Sequence, residues 1–451
     1  MAFELTEEFI GNIKECIKSA DKTSLILELI GDLAEQDISV ILYELETEEA
    51  VELLNILTTE KKAHVISELD TDIRLKILKH YSPENIADFV EYIDSDDAVD
   101  IINELSIKTG EEIIAFIKNP ETADHIIDLL HYDEDCAGGL MAKELIKANL
   151  NWTIDRCIEE IRAQSKNVDK IFSIYVVDDN IRLLGILSLK KLLLADENSL
   201  IADIYEPNIE CIESYRSGTE VADVMQKYDL ETIPVINVQG KLLGRITIDD
   251  VVDFITEQAD LERQMMSGIS NDAEENDSVW LLSKSRLPWL IVGMLGGILG
   301  AQFIGLFENV ITQVTAMAFF IPLITATGGN VGIQSSSMIV QSLARDSTYV
   351  SLEFNRFWKG FVVSLINGIA ISSLVFLFNI LLKQEIHLAT TVSIALFCVV
   401  LVSSFMGTIT PLILFRFGVN PALASGPFIT TANDLLGLGI YFSVAHLLFT
   451  F

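Results

Sequence analysis

The 451-residue sequence predicts a multidomain chain: an all-α helical N-terminal solenoid, an α/β pair of duplicated modules, and a five-helix α transmembrane domain. Three observations predict it. An apolar cluster recurs every twelve residues between Ile41 and Leu105, a strand-turn-strand pattern returns 59 residues later, and five long apolar stretches follow Leu287. The boundaries expected from these patterns are 1–130 for the acidic helical repeat, 131–200 and 201–262 for the two modules, 263–284 for a connecting helix, and 285–451 for the membrane block.

In the first block the apolar clusters at 41–45, 53–57, 65–69, 77–81, 89–93 and 101–105 are separated by Thr47, Thr59, Thr71, Ser82 and Ser95. Hydroxyl residues followed by Glu or Asp are what helix N-caps with acidic first turns require. Each unit is then about two helical turns, too short to stand alone, and stacking supplies the missing core.

The second block duplicates Ile174-Tyr175-Val176-Val177 and Leu183 to Leu189 as Ile233-Pro234-Val235-Ile236 and Leu242 to Ile248. A helix-period segment precedes each copy, at 154–163 and 220–228. This order of helix, strand, glycine-containing turn, strand and helix resembles a tandem pair of CBS modules. Thr247 and Asp250 stand where such modules often hold ribose, which implies an adenine nucleotide such as ATP; a helix N-cap with an acidic first turn explains the same residues.

The third block holds apolar stretches at 287–307, 314–343, 361–382, 389–415 and 421–449, each reaching the length of about 20 residues that crosses a bilayer. Lys284, Arg286, Arg345, Arg356, Lys359 and Arg416 fall on one side of the five spans, against Lys383 alone on the other. The positive-inside rule therefore predicts a multi-pass plasma (inner) membrane protein with its soluble half in the cytoplasm and its C-terminus outside.

Asp434 is the one acidic residue deep within a span, and a carboxylate at that depth costs roughly 2.5–3.5 kcal/mol on insertion scales. Such a residue is expected to face water or a bound cation. Gly426, Thr430 and Asp434 share a helical face at spacing four, making a narrow polar track. In the second span Gly328, Gly329 and Gly332 loosen the helix, and Asn330 and Gln334 lie four apart on one face. Those glycines suit a wet cavity, and they equally suit close helix packing through small residues.

The whole formal net charge of -35 resides before residue 287, since the remainder carries five basic and five acidic residues. An acidic soluble half repels nucleic acid and anionic lipid and attracts cations. Five cysteines without CxxC or Cys/His spacing indicate neither zinc nor a disulfide framework, and the N-terminus lacks a signal-peptide pattern. The absence of any P-loop or other hydrolytic motif argues against an enzyme or an ATP-driven pump.

Gly328-Gly329-Asn330-Val331-Gly332-Ile333-Gln334, the run Asn420 to Asp434, and His131 to Met141 before the CBS pair together resemble the MgtE family of magnesium channels and transporters. The resemblance covers nearly the whole chain. It implies a homodimer in the lipid bilayer, a pore on the two-fold axis lined by Gly328, Gly329, Asn330, Gln334, Gly426 and Thr430, and Mg2+ held between two copies of Asp434. It further implies gating by cytosolic Mg2+ bound between helical block and CBS pair, with Asp96, Asp97, Asp100, Asp229, Asp250, Asp253 and Glu257 as sensor candidates. One departure is Asn420-Pro421-Ala422, where the family usually has Asp-Pro-Ala. Rival expectations are the same architecture carrying another divalent ion such as Co2+, a CBS-regulated proton-coupled solute carrier in which Asp434 titrates, and a membrane-anchored nucleotide sensor without conductance.

Overall fold

The computed structural model describes residues 5–18, 22–165, 168, 170–196, 199–269, 278–345, 354–424 and 426–449. The chain divides into two compact units, Met1–Thr256 and Glu257–Phe451.

The first unit begins with ten helices: α1 (Glu7–Ile17), α2 (Lys22–Ile30), α3 (Glu35–Tyr43), α4 (Thr47–Leu54), α5 (Thr59–Ser67), α6 (Thr71–Leu78), α7 (Pro83–Val90), α8 (Ser95–Asn103), α9 (Ile107–Phe116) and α10 (Pro120–Leu129). From α3 to α9 they start every twelve residues, as the sequence period requires. Their caps fall one residue earlier than expected. Glu46, Thr58, Asp70 and Asp94 stand at the cap positions, so Thr47, Thr59, Thr71 and Ser95 are first helical residues. Ser82 caps as expected, its hydroxyl accepting from the amide of Asn85. Residues such as Ile26, Ile38, Leu53, Ile66, Leu78, Val90 and Ile101 form one core, and that core continues without a break into Ile212, Val221, Met225, Ile233 and Ile246 of the second module.

Two sheets follow. β1 (Ile146–Asn149), β2 (Ile174–Val177), β3 (Leu183–Leu187) and β4 (Glu206–Pro207) pair in that order, β1 with β2 parallel and the others antiparallel. β5 (Ile212–Glu213), β6 (Thr232–Ile236) and β7 (Leu242–Thr247) repeat the scheme. The helices of the modules are α11 (Ile154–Gln164), α12 (Leu189–Leu194), the short α13 (Ile201–Ile204), α14 (Gly218–Tyr228) and α15 (Ile248–Met266). The leading strands β1 and β5, absent from the sequence expectation, are too short to show an alternation and acquire their identity from pairing with β2 and β6. The first module keeps a separate core around Ile146, Ile161, Ile174, Val176 and Leu187.

The duplication is exact enough to reproduce irregularities. A register shift lies between Val176 and Val177 and again between Val235 and Ile236. The turns carry the same device, an Asp178 or Asn237 carboxyl or amide oxygen accepting two backbone N–H groups. They also pair with one another, Leu183 N–H donating to the Gly240 carbonyl and Leu242 N–H to the Ile181 carbonyl, both at 3.0 Å. Gly185 and Gly244 lie within β3 and β7. They admit close backbone, since a Cβ there would meet the carbonyls of Glu206 and Ala142 respectively.

The second unit contains five helices long and apolar enough to cross a membrane, among the described residues. These are α16 (Val279–Leu306), α18 (Ile321–Arg345), α19 (Phe354–Leu381), α20 (Ile386–Arg416) and α21 (Pro427–Phe449), with the short α17 (Glu308–Gln313) between the first two. α20 is the central one, burying Leu388, Val392, Leu396, Val399, Ser403, Gly407 and Pro411. The expected connecting helix at 263–284 is not one helix. Its start completes α15, Gly268 turns the chain with φ +80°, and its end opens α16, while 270–277 lie outside the described residues.

Ile181 occupies the position that Gly240 fills in the other copy, and both have positive φ, 63° and 77°. A β-branched residue there is strained by roughly 1–2 kcal/mol. Ile181→Gly is therefore expected to raise unfolding stability by about 0.5–1 kcal/mol after the extra chain entropy of glycine is subtracted. Urea melts of the two chains check it.

Candidate metal sites

Around Asp434 the geometry is built from small residues. A Cβ on Gly329 would lie 3.7 Å from Asp434 Oδ1 and 3.1 Å from Thr430 Cγ2, so α18 approaches α21 closely beside the carboxylate. The Thr430 hydroxyl donates to the Gly426 carbonyl at 2.9 Å. Gly328 faces Val399, Ser403 and the Asn433 carbonyl. Gly332 leaves no room for a Cβ against the Asn433 amide nitrogen, and Gly407 none against the Gly332 carbonyl. The glycines thus serve packing as well as the track. Asn330 and Gln334 are exposed on α18, on a face the chain itself leaves uncovered.

Sequence reasoning missed Asn433, which is fully buried beside Asp434 with neither amide atom hydrogen-bonded among the described residues. It also missed the hydroxyl chain Ser364 to Ser404 at 2.5 Å and Ser404 to Ser335 at 3.0 Å, which ties α19, α20 and α18 together. Such hydroxyls carry no signal in a hydropathy pattern.

Gly426 does not share the helical face of Thr430 and Asp434 as expected, because it precedes α21 in a left-handed conformation. Its φ is +62°, and a Cβ there would collide with the Met266 carbonyl oxygen and lie 3.8 Å from the Gly268 amide nitrogen. Gly268 in turn packs on Pro427, and Asn420 Nδ2 lies 3.3 Å from Met265 Sδ. The end of α15 therefore rests on the start of the fifth span.

In the first unit, Asp96 and Asp97 sit in the first turn of α8 and face Asp250 at the start of α15. Burial, then repulsion from Asp250, Asp97, Asp94 and Glu144, raises the Asp96 carboxyl well above its ordinary value. Asp97 is pushed up to about 7 by burial and then by Asp250, Asp94 and Asp100, against a smaller opposing effect of Arg74. Asp250 is raised by burial, partly offset because its carboxylate accepts from Thr247 N at 3.0 Å and Thr247 Oγ1 at 2.5 Å. Thr247 and Asp250 are thereby engaged with each other at the helix start.

The structure does not bring every sensor candidate together. Asp229 closes α14 in the left-handed conformation. Asp253 is raised by burial and Asp249 rather than by the α8 carboxylates. Glu257 lies further along α15. Among the described residues no three His, Cys, Asp or Glu side chains converge as direct metal ligands.

Glu144 and Arg245, neither expected, hold this seam. Glu144 accepts from Ser95 N and Oγ at 3.0 and 2.8 Å and contacts His125 at 3.5 Å. Burial works against its charge, but the His125 and Ser95 contacts outweigh it and hold the carboxyl below its usual range. Arg245 is buried, with Nη2 3.2 Å from Asp94 Oδ2 and Nε donating to the Glu144 carbonyl at 2.5 Å.

Raised carboxylates cost stability at neutral pH. For Asp97 that cost is absent below the ordinary value near 4 and complete above about 7. In metal-free buffer the soluble half should therefore melt at progressively higher temperature as pH falls from 7 toward 4.5, before Glu144 begins to protonate. Calorimetry of wild type and Asp97→Asn checks it, and the variant should show a flatter profile.

Residues 321–444 match the MgtE family, described as a divalent cation transporter, residues 33–135 match the MgtE intracellular N domain, and residues 137–198 and 201–257 match CBS domains. The chain is 31% identical over 329 residues to the magnesium transporter MgtE of Enterococcus faecalis, covering 72% of each, and 33% identical over 325 residues to that of Thermus thermophilus, covering 71% of each. A crystal structure of the soluble part of a magnesium transporter matches with TM-score 0.51 and 27% identity, covering 56% of this chain and 99% of that one. The cytosolic domain of the Mg2+ channel MgtE in complex with ATP matches with TM-score 0.51 and 29% identity, covering 54% and 99%. With its helical block, CBS pair and five apolar spans in that order, the chain belongs to the MgtE family of magnesium transporters.

Proposed function

We propose that this protein is a Mg2+ channel or transporter for magnesium uptake, closed by cytosolic Mg2+ acting between the helical block and the CBS pair. The observation that carries the reading is Asp434 beside Thr430 and Gly329 on a span with no Lys or Arg to neutralise it. Relatives named as magnesium transporters at 31–33% identity support Mg2+ as the cargo. A hydrated ion held mostly through its waters suits one carboxylate and a hydroxyl from each of two subunits.

Two copies are part of the reading. Asn330 and Gln334 are exposed in the middle of a span, and amides facing hydrocarbon are costly, so a second subunit or a water-filled pathway facing α18 supports a homodimer with the pore between. The distribution of Lys and Arg supports a cytoplasmic side for the N-terminal half. An adenine nucleotide at the CBS pair accompanies this reading on the strength of the ATP-bound relative.

Gating follows from charge and linkage. Mg2+ at the seam relieves repulsion among Asp94, Asp96, Asp97 and Asp250 and favours the closed arrangement. Asp250 opens the same helix, α15, whose far end rests on Gly426 and Pro427 at the fifth span, so loss of the ions frees a lever attached to the pore helix.

Mg2+ uptake into proteoliposomes loaded with a fluorescent indicator tests the pore. Asp434→Ala should lower flux by at least about tenfold, equivalent to 1.4 kcal/mol of lost ion stabilisation; flux equal to wild type, or proton movement without Mg2+, would sink the reading. In the same vesicles Asp250→Ala should leave flux less inhibited at high cytoplasmic-side Mg2+.

A further inference from the structure

A positive charge is already built into the seam. The Arg245 side chain is 5% exposed, reaches Asp94 through Nη2 at 3.2 Å, and lies with its guanidinium carbon 5.1 Å from the centroid of Phe172. Its Nε is held by the Glu144 carbonyl, and its backbone pairs both ways with Ala142 at 2.8 and 2.9 Å. Nη1 is buried and has no hydrogen-bond partner among the described residues. Asp94 precedes α8 and Arg245 belongs to β7, so this ion pair joins the helical block to the second CBS module.

We propose that Arg245 is a resident cation that takes the place of one divalent ion at this seam. The carboxylates that repel one another there are Asp94, Asp96, Asp97 and Asp250, with Glu144 behind them. A guanidinium fixed among them is neutralised by Asp94 and also favours the charged form of Asp250. It cannot dissociate, so part of the closing force persists when cytosolic Mg2+ is low. Its planar face lies over Phe172 while a single nitrogen, Nη2, reaches Asp94, so positive charge is what the carboxylates meet. The consequence is a sensor that needs fewer bound ions and closes at lower Mg2+ than an all-carboxylate seam.

The inference rests on the gating reading above, and hydrogen exchange of the full-length protein in lipid nanodiscs separates the two. Protection of the amides of 95–100 is followed with MgCl2 as the only added cation. Wild type should be partly protected without Mg2+, and Arg245→Met should lose that protection and need about tenfold more Mg2+ for half-maximal protection, a shift of 1.4 kcal/mol. Arg245→Lys, which keeps the charge and loses the fork, should stay close to wild type. Adding Asp94→Asn to Arg245→Met should bring the midpoint back down, because it removes one uncompensated acid. An unchanged Arg245→Met chain, or a lysine variant that behaves like the methionine one, overturns the proposal. If wild type ignores Mg2+, the gating reading falls, and the magnesium-free comparison of the three side chains still decides the role of Arg245.

Discussion

Negative charge held where water is scarce is the constraint on which this structure turns. A carboxylate in a low-dielectric setting must be protonated, paired, or supplied with a cation. The protein meets that condition twice. Asp434 stands in the last span with no Lys or Arg in reach along the helix, and Asp96, Asp97 and Asp250 converge between a helical repeat and a CBS module.

The remainder of the fold makes those exposures to charge tolerable. Within the membrane block, Gly328, Gly332 and Gly407 let α18, α20 and α21 approach at backbone distance, and serine hydroxyls satisfy one another across the helices. In the soluble unit the apolar core runs from the helical repeat into the second module, so apolar burial holds the acidic faces together against their repulsion. The opposition of those two effects gives a seam that a few positive charges are able to tip.

Much of this was legible in the residues. The twelve-residue period located five successive helix starts, those of α4 to α8, to within one residue, because a repeated apolar face is buried by stacking. The spans at 287–307 and 421–449 correspond closely to Val279–Leu306 and Pro421–Phe449 because hydropathy depends only on composition over about 20 residues. The caps moved by one residue where two adjacent polar residues, such as Asp94 and Ser95, both fit the pattern. Strands β1 and β5 were invisible because four and two residues cannot display a period.

Asp434, the acidic imbalance and the duplicated modules were determined by sequence alone, since each is a property of residue type and spacing. Tertiary structure decided which charges meet: Asp94 and Arg245 are separated by 151 positions, and Asp229, equally acidic on paper, ends a helix instead. Pairwise electrostatics falls off with distance in space, and distance along the chain carries no information about it.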